Sequence, residues 1–124
     1  MSDEKKILVV EDERPIAKAL QLKLTSCGFS VDQASNGEEG LKMIETTPYQ
    51  LVLLDLVMPT MTGFEVLEQL KAKGINVPVI VSSNLSQNED INRAKALGAV
   101  DYYIKSETPI SQVVEQVRAH LLPA

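Results

Sequence analysis

Leu51-Val52-Leu53-Leu54-Asp55 carries four large apolar residues straight into a carboxylate. A strand with one face in water alternates apolar and polar residues. An unbroken apolar run suits a strand covered on both faces, as in a parallel sheet held between layers of helices. The same design recurs on either side. Residues 7–10, Ile-Leu-Val-Val, end in Glu11-Asp12-Glu13, and residues 77–81 lead into Ser82-Ser83. Residues 29–34 alternate apolar and polar positions as a strand does, and residues 100–104 make a fifth strand ahead of Lys105.

Helical signals fill the intervals. Pro15 sits where a helix opens, Ile16, Leu20, Leu24 and Cys27 recur at helical spacing, and Gly28 suits the stop. Ser35-x-x-Glu38, Thr62-x-x-Glu65 and Ser86-x-x-Glu89 each read as a capping box. They open helices that bury, in turn, Leu41 and Ile44; Phe64, Leu67 and Leu70; and Ile91, Ala94 and Leu97. The last two stop near Gly74 and Gly98. Thr108-Pro109 opens a final helix with Ile110, Val113, Val114, Val117 and Leu121 on its apolar side. Five βα units in strict alternation predict an open α/β sheet with right-handed crossovers, and are too few for a closed eight-stranded barrel.

At 124 residues and 44% apolar, the chain has material for one core rather than two. Its net charge of −5 excludes sequence-independent nucleic-acid binding by this chain alone, which needs a cationic footprint. Cys27 is the single cysteine, so no intramolecular disulfide forms, in keeping with a reducing compartment. Residues 7–10 are too short for the core of a signal peptide or a membrane span. The expectation is a cytoplasmic protein that touches neither membrane nor nucleic acid directly.

The strand ends carry the chemistry. Taken singly, Glu11-Asp12 is a polar loop, Asp55 a turn former, Ser83 a capping residue and Lys105 a solvated lysine. Taken jointly, they stand at the carboxyl ends of four parallel strands, the edge where ligands bind in doubly wound sheets. Three clustered carboxylates repel one another and resist desolvation, so a cation is required. A hard divalent ion with oxygen ligands, Mg²⁺, meets that need, and Lys105 adds a second positive charge. Carboxylates, metal, ammonium and hydroxyl together suit phosphoryl transfer, in which catalysis is mostly positioning and charge neutralisation.

The chain resembles the receiver domains of two-component response regulators over essentially its whole length. The resemblance rests on Ile7-Leu8-Val9-Val10-Glu11-Asp12-Glu13 and on Leu53-Leu54-Asp55-Leu56-Val57-Met58-Pro59 with Gly63. It rests equally on Pro78-Val79-Ile80-Val81-Ser82-Ser83 and on Gly98-Ala99-Val100-Asp101-Tyr102-Tyr103-Ile104-Lys105. Their order and spacing together are specific. The resemblance implies a flavodoxin-like three-layer sandwich, with a five-stranded parallel sheet of order 2-1-3-4-5, five helices, and one receiver domain over residues 1–124.

It also implies roles by position. Asp55 is the phosphoacceptor, supplied by a sensor histidine kinase or a phosphotransfer protein. Asp12 ligates Mg²⁺ directly, Glu11 assists through water, and Asp55 and the backbone carbonyl of Val57 complete the protein ligands. Lys105 pairs with the phosphoryl group, and Ser83 is the switch hydroxyl. Tyr102 is the switch aromatic, although its ordinary reading is a packed strand tyrosine; Tyr103 faces the other side. The resemblance implies a phosphoacceptor rather than an enzyme. Its helix 4–strand 5–helix 5 surface would control an unknown output partner, from a monomer or a phosphorylation-dependent dimer.

The sequence departs from the family in places. Ser106 follows Lys105, where the family usually has proline after a cis bond; a cis bond here costs roughly 3 kcal/mol, which opens the way to a trans one. Asn84 replaces a usually very small residue beside Ser83, and narrows the approach of small phosphodonors to Asp55. Val57 and Leu85, two residues past Asp55 and Ser83, cannot hydrogen-bond a hydrolytic water, so self-dephosphorylation is expected to be slow. Cys27 reads as core, Met58 as loop packing, and His120 as a solvated residue that complements the last helix dipole.

Three rivals remain. A receiver that acts as an interaction module without phosphorylation is opposed by the intact Glu11, Asp12, Asp55 and Lys105. A small aspartyl-phosphate phosphatase needs a second aspartate where Val57 stands. A flavin-binding domain needs a phosphate loop where Glu11-Asp12-Glu13 would repel the phosphate.

Overall fold

The computed structural model describes residues 5–85 and 87–121. The elements alternate as β1 Lys6–Val10, α1 Arg14–Ser26, β2 Ser30–Ala34, α2 Gly37–Thr46, β3 Leu51–Asp55, α3 Gly63–Ala72, β4 Val79–Ser83, α4 Asn88–Ala96, β5 Asp101–Ile104 and α5 Ile110–Leu121. All strand pairs are parallel, in the order β2-β1-β3-β4-β5. This is the three-layer sandwich, with the strand order, that the resemblance implies.

Because successive side chains of a strand point to opposite faces, the unbroken apolar runs feed two cores at once. Leu8, Val10, Val52, Leu54, Val79 and Val81 meet Leu41, Ile44, Phe64, Leu67, Leu70 and Ala94 of α2, α3 and α4. Ile7, Val9, Leu51, Leu53 and Ile80 meet Ala17, Leu20, Leu24, Val113, Val114 and Val117 of α1 and α5. β3 is buried at all its positions, Asp55 included. Cys27 is half-buried against the α1–α5 core and Met58 is buried.

The structure shifts several boundaries. β4 begins at Val79 rather than 77, since Pro78 has no N–H for the ladder, and it runs on through Ser82 and Ser83. The Thr62 capping box is present with both arms, Glu65 N–H to Thr62 Oγ1 at 3.2 Å and Thr62 N–H to Glu65 Oε1 at 3.0 Å. The box expected at Ser35 lies one residue later. Asn36 caps α2 by accepting the Glu39 N–H at 2.8 Å, and Glu39 reaches back to the Ser35 N–H at 2.6 Å. Asn36 and Ser35 are both capping residue types, and Glu38 and Glu39 both offer the return arm, so the sequence pattern did not separate the two frames. Helix α4 has Gln87 at its N-cap with no side-chain cap; Ser86, the expected cap, lies outside the described residues. A 3₁₀ turn, Lys105–Glu107, separates β5 from α5. Ile110, expected on the apolar side of α5, is exposed because it is the first residue of the helix, at the mouth of the α1–α5 crevice.

Candidate functional site

β1 and β3 are hydrogen-bonded neighbours with Val10 opposite Leu54, which sets the residues after Val10 beside Asp55. The register continues across the sheet, with Asp55 opposite Ser82 and Ser83 opposite Ile104. Parallel pairing therefore delivers Glu11, Asp12, Asp55, Ser83 and Lys105 to one edge. Glu11, Asp12 and Asp55 each present an oxygen within 4.8 Å of the others. Glu11 and Asp55 are buried, and Asp12 is half-buried.

Lys105 closes the site from the turn that follows β5. Its Nζ lies 2.7 Å from Glu11 Oε1 and 3.1 Å from Asp55 Oδ2, with Glu13 Oε1 at 3.7 Å. Asp55 Oδ1 accepts the Val57 N–H at 3.2 Å. One ammonium faces three carboxylates, and two of them, Glu11 and Asp55, are buried. Burial raises the Glu11 carboxyl to about 7, against its hydrogen bond to Lys105 and with help from the charge of Asp55. Burial likewise raises Asp55, opposed by the charge of Lys105. Burial works to lower Lys105, but its hydrogen bond to Glu11 and the charge of Asp55 prevail and raise it. A buried excess of negative charge on convergent oxygens is the donor set a hard divalent cation requires.

The backbone around Asp55 is shaped to hold it. A Cβ on Gly63 would stand 2.4 Å from the Asp55 carbonyl oxygen and 2.7 Å from the Leu56 Cα, so only glycine lets α3 start this close to the end of β3. The Gly63 N–H donates to the Leu56 carbonyl at 3.0 Å. Thr60, in the intervening loop, has φ +74°, an uncommon conformation for a β-branched residue and a local store of strain.

Ser83 is fully buried, and its Oγ accepts the Leu85 N–H at 3.1 Å. Tyr102 is half-buried, and its hydroxyl donates to the Leu85 carbonyl at 2.7 Å. Tyr103 is buried in the opposite core, as expected. Val57 is 59% exposed. An open cleft of about 420 Å³ leads to Asp55, with Val57, Asn84 and Leu85 at its rim. No cis peptide occurs among the described residues, so the Lys105–Ser106 bond is trans.

Three contacts escaped the sequence reading. Glu13 is a further carboxylate neighbour of Lys105. The Asn84 Oδ1 accepts the Ser106 N–H at 2.9 Å. His120 is exposed, as expected, and its Nε2 lies 3.2 Å from Asp101 Oδ2. The first carried a faint signal, as part of the Glu-Asp-Glu run; the other two join residues far apart in the chain that no local pattern connects.

Residues 7–118 match the family model for the response regulator receiver domain. Among curated proteins, the transcriptional regulatory protein DltR of Streptococcus agalactiae is 43% identical over 100 residues, covering 81% of this chain and 45% of that protein. The chain thus spans less than half the length of the curated relatives it matches. Among solved structures, a Francisella response regulator receiver domain superposes with a TM-score of 0.89 at 30% identity, covering 94% of this chain and 96% of that one. The response regulator TrrA of Thermotoga maritima, solved in complex with Mg²⁺-BeF, gives a TM-score of 0.82 at 34% identity, covering 94% of this chain and 98% of that one. No helix of the described residues is long and apolar enough to cross a membrane.

Proposed function

This chain belongs to the response regulator receiver family, and from that premise we propose that residues 1–124 form one receiver domain whose Asp55 accepts a phosphoryl group from a phosphohistidine. The observation that carries the reading is the meeting of Glu11, Asp12 and Asp55 oxygens within 4.8 Å, with Lys105 bonded to two of the three. Family membership makes the domain a phosphoacceptor of two-component signalling rather than an enzyme in the ordinary sense. The phosphohistidine belongs to a sensor histidine kinase or a phosphotransfer protein, and the compartment we assign is the cytoplasm.

A lone pair on an Asp55 carboxylate oxygen forms the new O–P bond while the P–N bond to imidazole breaks and its electron pair stays on the ring nitrogen. Lys105 neutralises charge on the transferred oxygens, from a position it already holds beside Asp55. Glu11, Asp12, Asp55 and the Val57 carbonyl would hold Mg²⁺, which supplies further charge neutralisation at the phosphoryl oxygens when bound. Their crowding fits that ion, because its charge would offset the cost of burying Glu11 and Asp55 as anions and, secondarily, their mutual repulsion.

Output follows from Leu85. Its N–H is held by Ser83 and its carbonyl by Tyr102, so a Ser83 that turns toward the phosphoryl group releases one of the two anchors of this loop. Helix α4, which follows the loop, buries only Ala94. A small bias at Ser83 therefore shifts the populations of the α4–β5–α5 surface and its affinity for an output partner. The test is phosphotransfer to wild type and to Asp55→Asn, with and without Mg²⁺, read by intact mass. Wild type is expected to gain one phosphoryl group only with Mg²⁺, and Asp55→Asn none. A wild type that stays unmodified would favour a receiver that binds partners without phosphorylation.

A further inference from the structure

Lys105 occupies the first position of the 3₁₀ turn Lys105–Glu107, and no side chain caps that turn from its N-cap position at Ile104. The leading N–H groups of such a turn lack partners inside it. The Ser106 N–H finds one across the sheet edge, on the Asn84 Oδ1 at 2.9 Å. Asn84 directly follows Ser83, the last residue of β4, and lies at the rim of the cleft that contains Asp55 and Lys105. A single hydrogen bond thus ties the end of the strand that carries Ser83 to the turn that carries Lys105.

The two residues at its ends are two of the departures noted in the sequence, and each makes sense in terms of the other. A proline at position 106 has no N–H to give, and a small apolar residue at position 84 has no oxygen to receive one. We propose that Asn84 is a positioning residue for Lys105, fixing the backbone from which its side chain reaches the phosphoryl group; this rests on the phosphoacceptor reading above. Before transfer, Nζ is held by Glu11 at 2.7 Å and Asp55 at 3.1 Å. After transfer, the Asp55 oxygen carries phosphorus, and Nζ has to follow an oxygen farther out in the cleft. Its reach is then set by the root of a flexible four-carbon stem, and that root is what Asn84 anchors.

The test compares wild type, Asn84→Ala, Ser106→Pro and the double variant. It reads phosphorylation by phosphoramidate with Mg²⁺, hydrogen exchange of the residue-106 amide where one is present, and the thermal midpoint. Asn84→Ala is expected to slow phosphorylation about three- to tenfold, the range one net hydrogen bond commands. It should also deprotect the Ser106 amide and leave the thermal midpoint near the wild-type value. Ser106→Pro is expected to slow the reaction as well, and Asn84→Ala to add nothing in that background, the non-additivity of a shared contact. An unchanged rate despite a deprotected amide, or full additivity in the double variant, overturns the proposal. A faster Asn84→Ala also overturns it, since Asn84 would then act by narrowing the cleft. A wild type that takes up no phosphoryl group from phosphoramidate or from a phosphohistidine donor overturns the phosphoacceptor reading and this one together, whereas the other outcomes overturn this one alone.

Discussion

Glu11 is buried beside Asp55 and Asp12 with one ammonium to share, and its carboxyl is raised from 4.5 to about 7. A carboxyl whose pKa is higher in the folded chain stabilises the fold below its unfolded value, and that stability is lost as pH rises through the folded value. Asp55, raised for the same reason, acts in the same direction. Urea unfolding in a chelator is therefore expected to show a chain less stable at pH ~8 than at pH ~5, by on the order of 3 kcal/mol from Glu11. Added Mg²⁺ should flatten that dependence, and Asp55→Asn should stabilise the metal-free chain at neutral pH. A pH-independent midpoint would mean that the carboxylates are not in conflict. The rim of the cleft makes a second prediction. Val57 and Leu85 flank Asp55 without a polar group to hold a water. Val57→Asn and Leu85→Glu are expected to shorten the life of the phosphorylated form severalfold, followed by loss of phosphoprotein mass with time, and unchanged lifetimes would reject that role. These residues were legible because their chemical types are unusual at the ends of apolar runs. Asn84 and Ser106 were legible only as oddities, since what joins them is a hydrogen bond across the sheet edge.

Among the elements, α3 and α4 differ in how they are held. Helix α3 has a two-armed capping box at Thr62 and Glu65 and starts against the end of β3 through Gly63. Helix α4 has no side-chain cap at Gln87 and buries only Ala94. Arg93 compensates in part. Its guanidinium lies 4.1 Å from the centroid of the Phe64 ring and 3.6 Å from the Glu68 carboxylate, both on α3. Arg93 is solvent-accessible, so its contribution is about 0.5–1 kcal/mol. Arg93→Ala is expected to raise amide exchange within α4 several-fold while that of β3 stays unchanged; equal increases in both would place the loss in the global fold instead. The helical periodicity of Ile91, Ala94 and Leu97 predicted this helix, but not how loosely it sits, because looseness depends on what the rest of the molecule sets against it.

Over the whole molecule, β1, β3 and β4 form the centre of the sheet and β5 stands at one edge. β1, β3 and β4 feed both cores; β5 adds Tyr103 to one and α4 adds Ala94 to the other, and both also connect to the site through Leu85, Tyr102 and Lys105. Mg²⁺ with beryllofluoride, as a mimic of the phosphoryl group, is accordingly expected to change hydrogen exchange in α4, β5 and residue 85 while leaving α2 as it was. Changes spread evenly over all five helices would contradict the proposed switch surface.

The alternation of apolar runs with 3.6-residue periods determined the α/β class and the five βα units, because a strand buried on both faces has few other ways to be written. The acidic, hydroxyl and ammonium residues at the strand ends marked the site for the same reason: nothing in the core calls for them. The tertiary structure decided the rest. Strand register brought Lys105 to 2.7 Å from Glu11 and set the burial that raises that carboxyl. It also joined Asn84 to Ser106. Local pattern records what each residue prefers; distances between residues far apart in the chain exist only once parallel pairing has fixed which ends meet.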